Sequence, residues 1–471
     1  MVMADLRFAR KTLWARDRLR AAPSRPRLAL LPLLPPAALL IYAAWARGGT
    51  HVPLQPPLPW LGLAVLLGGL AGPARRERVA RMLRDPLLPI GLLFLGLLLV
   101  QYWNSGRILV YDDMTRRWTY SPPPVAGLPS GFTRPESAEM LRWFFPAWTL
   151  VLALRAAVDG PRARALLWIM AANGALLALF GIGQYLSGTG TLLGLYPMNE
   201  HFFASFGYAN HAGAFFTLVG AVSAGLLGRA VMAERGFHPG PVEGILTVML
   251  LLNVAGACLS LSRIAIVLGL LGLIVASFFL LRHLWSVSLP AARVGVVTAI
   301  LGFIFVAVFL VFAVGDRSVS DELGSLRLLV QRRFELTHRG EQVAAAGRMW
   351  RTAPWFGLGG WGFRYGAVTD ARAAASPWWT SLGRANVHCD PIQFLVEFGA
   401  AGFGLLTLAV ACLLAPVLRS KVWRLPLSGF CLLGLGMTFV HGLVDLPFRS
   451  PAITYHWSAI LAILPRTTEE S

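Results

Sequence analysis

The chain has 471 residues, 56% hydrophobic and 14% charged, with a formal net charge of +19. Apolar runs near the ~20 residues that cross a bilayer recur along it, which excludes an ordinary set of soluble domains. Arginines punctuate these runs instead of forming one basic face, so the charge reads as membrane topology and not as nucleic-acid binding.

Short alternating strands, the mark of a transmembrane barrel, are absent. Cys258, Cys412 and Cys431 lie within apolar runs and Cys389 stands alone. No disulfide framework or zinc spacing follows from that placement.

The basic start (Arg7, Arg10, Lys11, Arg16, Arg18, Arg20) precedes an apolar run in the manner of a signal peptide. With many later spans, an uncleaved first helix is the expectation. Twelve spans are predicted, at 28–46, 58–73, 86–103, 141–158, 164–186, 207–228, 244–261, 263–281, 292–314, 391–415, 425–444 and 450–465. The fold class is therefore an all-α polytopic membrane protein with one membrane domain over 1–471. With twelve spans, the basic N-terminal arm, segment 74–85 and the loops with Arg155/Arg162/Arg164, Arg229/Arg235, Arg282/Arg293 and Arg419/Lys421/Arg424 share one side. That side is cytoplasmic by the positive-inside rule, and both termini lie on it.

Two long loops fall on the outer (periplasmic) side. The first, 104–140, holds Pro122-Pro123-Pro124 and Gly127 to Gly131 and reads as irregular. The second, 315–390, lies between the ninth and tenth spans. There Leu323, Leu326, Leu329, Val330 and Phe334 recur at helical spacing opposite Arg327, Arg332 and Arg333. An amphipathic helix along the membrane boundary or over the bundle is predicted.

Notable polar residues gather at the same outer face. Asn210 and His211 open the sixth span, Arg263 opens the eighth, and Arg348 and His388 lie in the large loop. Asp445 and Arg449 sit at the turn between the last two spans, and Glu397 lies inside the tenth. Ionisable groups at such depths are expensive and are usually paired or functional. Each also has a plainer reading. Arg263 can snorkel at a helix end, Asn210 can cap a helix, and Asp445 with Arg449 can form a structural ion pair. Glu397, buried in an apolar run, needs a partner or a proton. Gly357, Gly359 and Gly362 match G-x-G-x-x-G, but Pro354 and Trp355 stand where a strand is required. A sharp turn folding the loop back over the membrane surface is the better account.

Five segments now stand in order: FGYANHAGAF (206–215), LSLSRIAI (259–266), GRMWRTAPWFGLGGWGF (347–363), VHCDPIQFLVEFGAAGFGLL (387–406) and HGLVDLPFRSP (441–451). Together they resemble the O-antigen ligase/polymerase superfamily; the first five spans carry no such motif. The resemblance implies a metal-independent, inverting glycosyltransferase without a cofactor. Its donor would be a glycan on a polyprenyl-diphosphate carrier, and its acceptor a lipid core, another glycan or a protein. By motif position the family's two essential arginines and its loop histidine correspond to Arg263, Arg348 and His388. Arg351, one helical turn on from Arg348, competes for the second arginine role. Asn210, His211, Asp390, Glu397, Asp445 and Arg449 are the accompanying candidates for substrate binding. The chain departs from the pattern after the histidine, where Cys389 takes a position often held by Asn.

These residue types suit that chemistry. Guanidinium groups bind phosphate oxygens bidentately and stay charged, so two of them can hold a lipid diphosphate and stabilise it as it leaves. An imidazole, with an ordinary pKa of about 6.5, can take the acceptor hydroxyl's proton near neutral pH. Asp390 or Glu397 is a candidate to orient it. Three functions fit: a ligase, a polymerase with the same chemistry, or a glycolipid transporter without catalysis. A transporter is expected to place broken helices and charges at mid-membrane in both halves. Here they cluster at one face of the C-terminal half, which favours an enzyme of the bacterial inner membrane.

Overall fold

A computed structural model describes residues 31–72, 74–114, 116–198, 201–233, 240–287, 302, 333–370 and 385–467. It is a bundle of helices. The N-terminal group comprises α1 (Leu34–Trp45), α2 (Pro57–Leu70), α3 (Arg75–Leu83), α4 (Leu87–Trp103), α5 (Arg134–Ala157) and α6 (Gly160–Ser187). The central group is α7 (Ala209–Ala233), α8 (Pro241–Leu259) and α9 (Arg263–Val287). Two loop helices follow, α10 (Arg333–Thr352) and α11 (Gly362–Thr369), then α12 (Asp390–Arg419), α13 (Pro426–Val444) and α14 (Pro451–Ile463). Several open on proline at the first helical position, where the missing N–H leaves no bond unmade.

Six described helices, α6 to α9, α12 and α13, are long and apolar enough to cross a membrane. The protein is therefore a multi-pass membrane protein. The expected total of about twelve spans goes beyond this set: α1 and α4 are shorter apolar helices, and α14 has 13 residues. A bend of 118° separates the helical stretch Val52–Leu70 from α3. The predicted ninth span, Gly302 apart, and the amphipathic segment up to Arg332 lie outside the described residues, as do the side chains of Arg333 and Phe334.

α7 runs through the middle, packing against α6, α8, α9, α13 and α14. Small residues allow this: a Cβ on Gly434 of α13 would meet Ala221 of α7 at 2.6 Å. Close backbone approach of that kind is how helices associate where lipid is as apolar as the side chains.

Two expectations need correction. The 104–140 loop is not wholly irregular, because β1 (Leu109–Asp112) and β2 (Arg117–Tyr120) form an antiparallel hairpin, and α5 begins at Arg134. Tyr111 stacks edge-on against Trp118 across it at 5.3 Å, the cross-strand aromatic pairing that hairpins favour. Nor is α12 one continuous helix. Gly399 has φ 64° and ψ −175°, which breaks it near its start.

The break receives the glycine turn. Leu358 and Gly359 donate their amides to Val396 and Glu397 carbonyls at 3.0 and 2.8 Å, and Ala400 and Ala401 donate to Pro354 and Trp355. A Cβ on Gly357 would lie 2.4 Å from the Glu397 carbonyl, and one on Gly399 2.4 Å from that of Trp355. Two backbones thus touch where side chains are excluded. Exposed amides and carbonyls of a broken membrane helix would be costly, and the loop satisfies them.

Candidate functional site

The polar cluster forms where helix ends meet at one end of the bundle. Tyr208 and Asn210 lie at the start of α7, His388 just before α12, and Asp445 just after α13. Asp445 is the hub. Tyr208 donates its hydroxyl to both carboxylate oxygens at 3.1 and 2.9 Å. Asn210 donates its amide N–H to Oδ2 and also to the Tyr208 hydroxyl at 2.9 Å. The Leu446 amide donates to Oδ1 at 2.8 Å. His388 Nδ1 lies 3.4 Å from the same oxygen.

Burial works against ionising Asp445, but the hydrogen bond and charge of His388, with His441 and Tyr208, outweigh it and hold the carboxyl at about 2. It is therefore an anion at any working pH. Burial and that anion push the Tyr208 phenol up, so Tyr208 remains a donor. The His388 side chain is 30% exposed and Asp445 only 4%. Among the described residues nothing engages His388 Nε2. The backbone of His388 is left-handed, with φ 53°, an uncommon state for a residue with a Cβ.

His211 is turned elsewhere, its Nε2 3.0 Å from the Leu446 carbonyl, so it braces the turn that carries Asp445. Arg263 follows the Ser260–Ser262 turn, which packs on Gly213, one helical turn in from Asn210; the arginine therefore opens at the same end. Arg348 points its fork at Asp370, with Nε and Nη2 each at 2.9 Å. That contact raises the guanidinium's pKa above its already high ordinary value. Arg351 is exposed on the last turn of α10.

Three sequence expectations are corrected here. Neither Asp390 nor Glu397 orients His388; the contact belongs to Asp445. Asp390 is buried and accepts the Phe448 amide at 2.9 Å. Asp445 and Arg449 do not pair with each other, because Arg449 donates through Nη2 to Glu397. The side chain of Asn210 serves Asp445 instead of capping α7.

Arg449 and Glu397 sit in a sealed network. Gln393 also donates to Glu397, and the Arg449 guanidinium lies over the rings of Trp361 and Phe394 at 4.8 and 4.9 Å. Trp361 donates its indole N–H to Glu139 at 3.0 Å, and Gln55 donates to the other oxygen at 2.8 Å. Arg364 also stacks on Trp361, 3.6 Å from its centroid. This network ties the loop to α5 and α12.

Two contributors escaped the sequence reading. Tyr208 carried no charge to mark it. Arg339, on α10, donates to the Val444 carbonyl at 2.9 Å, one residue before Asp445. Its exposed guanidinium thus stands at the rim of the cluster.

Residues 248–407 match the model of a family described as O-Antigen ligase. A comparison with curated proteins gave no match. The matched stretch contains Arg263, Arg348, Arg351, His388, Asp390 and Glu397, whereas Tyr208, Asn210, Asp445 and Arg449 lie outside it and join the cluster through the fold.

Proposed function

We propose that the chain, whose residues 248–407 match a family described as O-Antigen ligase, belongs to the O-antigen ligase/polymerase superfamily and is a ligase. It transfers a glycan from a polyprenyl-diphosphate carrier to an acceptor hydroxyl. The reaction takes place at the periplasmic face of the inner membrane. The observation that carries this reading is His388: Nδ1 faces the Asp445 anion while Nε2 is left for a substrate.

In this mechanism Asp445 holds His388 in the tautomer with a proton on Nδ1, so Nε2 is the base. Nε2 takes the acceptor hydroxyl's proton as its oxygen attacks the anomeric carbon. The bond from that carbon to the lipid diphosphate breaks, its electron pair leaving with the diphosphate, and the anomeric configuration inverts. Asp445 then stabilises the imidazolium. Arg263 and Arg348 supply the positive charge for the departing diphosphate, Arg348 exchanging Asp370 for phosphate oxygens. Arginines in that role make transfer independent of a divalent ion. Asn210 and Tyr208 fix Asp445, and Arg351 and Arg339 are further cations at the rim.

The experiment is transfer by the purified chain, with a lipid-diphosphate glycan and a lipid-core acceptor. His388→Gln keeps hydrogen bonding but cannot act as a base, and should lower turnover by roughly 10²–10⁴-fold. Donor binding, measured separately, should persist, and excess EDTA should leave the parental rate unchanged. A glutamine variant that transfers at the parental rate would remove His388 from the chemistry. Transfer only onto a second carrier-linked glycan, with the lipid core refused, would make the protein a polymerase.

A further inference from the structure

A further cation reaches this end of the bundle from the N-terminal half, which carried no motif. α1 ends at Trp45, and Arg47, Gly48 and Gly49 follow with φ of 56°, 68° and 76°. Three successive left-handed residues make a tight reversal, and for arginine that state is strained. The glycines are required by what surrounds them. A Cβ on Gly48 would lie 2.8 Å from the Phe206 ring, and one on Gly49 2.7 Å from Pro451. Ser450 pins the turn by donating its hydroxyl to the Gly48 carbonyl at 2.8 Å. Ser450 adjoins Arg449, and Phe206 lies two residues before Tyr208, so the turn is wedged against the segments that build the site.

The wedge aims Arg47. Its Nη2 stands 3.0 Å from where a Cβ on Gly207 would be, directly before Tyr208. Its partners are poor ones for a guanidinium. Nη1 meets His51 Nδ1 at 3.3 Å, Nη2 meets the Met198 thioether at 3.8 Å, and the group lies 4.9 Å over the Tyr196 ring. Among the described residues no carboxylate pairs with it. A half-buried guanidinium has five donors and no acceptor of its own, so it has lost water without gaining an anion among the described residues.

His51 reinforces the arrangement. Burial and the Arg47 charge both lower its pKa, so its ring is neutral and Nδ1 accepts from Arg47. Nε2 then carries the proton and is a second donor. Tyr196 stands edge-on to His51 at 5.6 Å, giving the pocket an aromatic wall. A guanidinium fork, an imidazole N–H and a ring beside them complement a phosphate group borne on an organic substrate.

We propose that Arg47, His51 and Tyr196 form an oxyanion subsite that receives a phosphate group of a substrate whose reacting end lies at His388. The identity of that substrate rests on the glycosyltransferase reading; the subsite rests on its own contacts. The phosphate comes either from the donor's diphosphate or from a phosphorylated acceptor.

The test uses the full chain in lipid nanodiscs, with Arg47→Gln and Arg47→Lys beside the parent. Inorganic pyrophosphate is titrated first, without turnover; the glutamine variant should bind it at least tenfold more weakly, with lysine recovering part of the loss. Transfer kinetics then separate the sources. A tenfold rise in donor KM at unchanged kcat assigns the donor's diphosphate. A rise in acceptor KM that disappears with a dephosphorylated acceptor assigns the acceptor. Pyrophosphate binding within twofold of the parent overturns the subsite. So does a loss that lysine fails to recover and that comes with a lowered melting temperature, since that marks a structural arginine. Weakened pyrophosphate binding in a chain that transfers nothing would leave the subsite standing and refute the enzymatic reading.

Discussion

Two ion pairs hang from one short turn, and they could hardly be used more differently. Asp445, at its start, faces His388, whose side chain is 30% exposed; Arg449, at its end, faces Glu397, and those side chains are 3% and 0% exposed. In the first pair one imidazole nitrogen remains for a substrate. In the second, Gln393, Trp361 and Phe394 surround the charges and leave a ligand no approach. Charge pairing alone does not mark a reaction site; access does. The sealed pair instead holds the turn that presents the open one.

That division predicts opposite phenotypes, the largest on the sealed side. Removing one partner of a buried pair strands the other charge, at a cost of about 3–5 kcal/mol. Arg449→Ala and Glu397→Ala should therefore both abolish the folded protein or lower its melting temperature sharply. The pair Arg449→Met with Glu397→Gln removes both charges and should recover much of the loss. Melting curves in detergent decide this. Equal stability of the single variants and the parent would mean the network does not anchor the loop.

Replacement of the open pair's acid should act on rate more than on folding. Asp445 stays ionised down to about pH 2, so it cannot itself produce a rate change near neutrality. Asp445→Asn removes the charge that orients the imidazole and stabilises the imidazolium formed when it takes a proton, so turnover should fall about 10-fold or more with donor binding kept. An unchanged turnover would uncouple Asp445 from the proton transfer.

Much of this site could be read from residue types and much could not. His388, Asp445, Asn210 and Arg449 stood out because polar groups at the ends of apolar runs are rare. Their pairing was invisible, since Asp445 reaches its partners across 57 and 237 residues and Arg449 meets Glu397 across 52. Asp390 and Glu397 looked like the imidazole's partners through nearness in sequence alone. The break at Gly399 was hidden because Gly-Ala-Ala-Gly-Phe-Gly also reads as a close-packing helix face. Only the facing glycine turn explains why the helix opens there. The hairpin at 109–120 was masked by the prolines and glycines around it, and Arg47 by lying in a segment without a motif.

The smallest effect concerns a third pair, intermediate between the other two. Arg348 grips Asp370 with both Nε and Nη2, yet the arginine side chain is 35% exposed, so the bridge stabilises the fold by only about 0–1 kcal/mol. A sealed pair would be structural and an open one reactive; this one is open enough to exchange partners. If Arg348 leaves Asp370 to hold the donor's diphosphate, the carboxylate competes with the substrate. Asp370→Asn weakens that competition while keeping the side chain's shape. Donor KM should then fall by about twofold to fivefold, at most the factor that ~1 kcal/mol allows, with stability unchanged. Arg348→Lys provides the contrast, since it keeps one charge but loses the fork, and donor KM should rise. Should Asp370→Asn instead raise donor KM as Arg348→Lys does, the carboxylate is what orients the arginine toward the diphosphate, and the pair belongs with His388 and Asp445 as a unit that works only when intact.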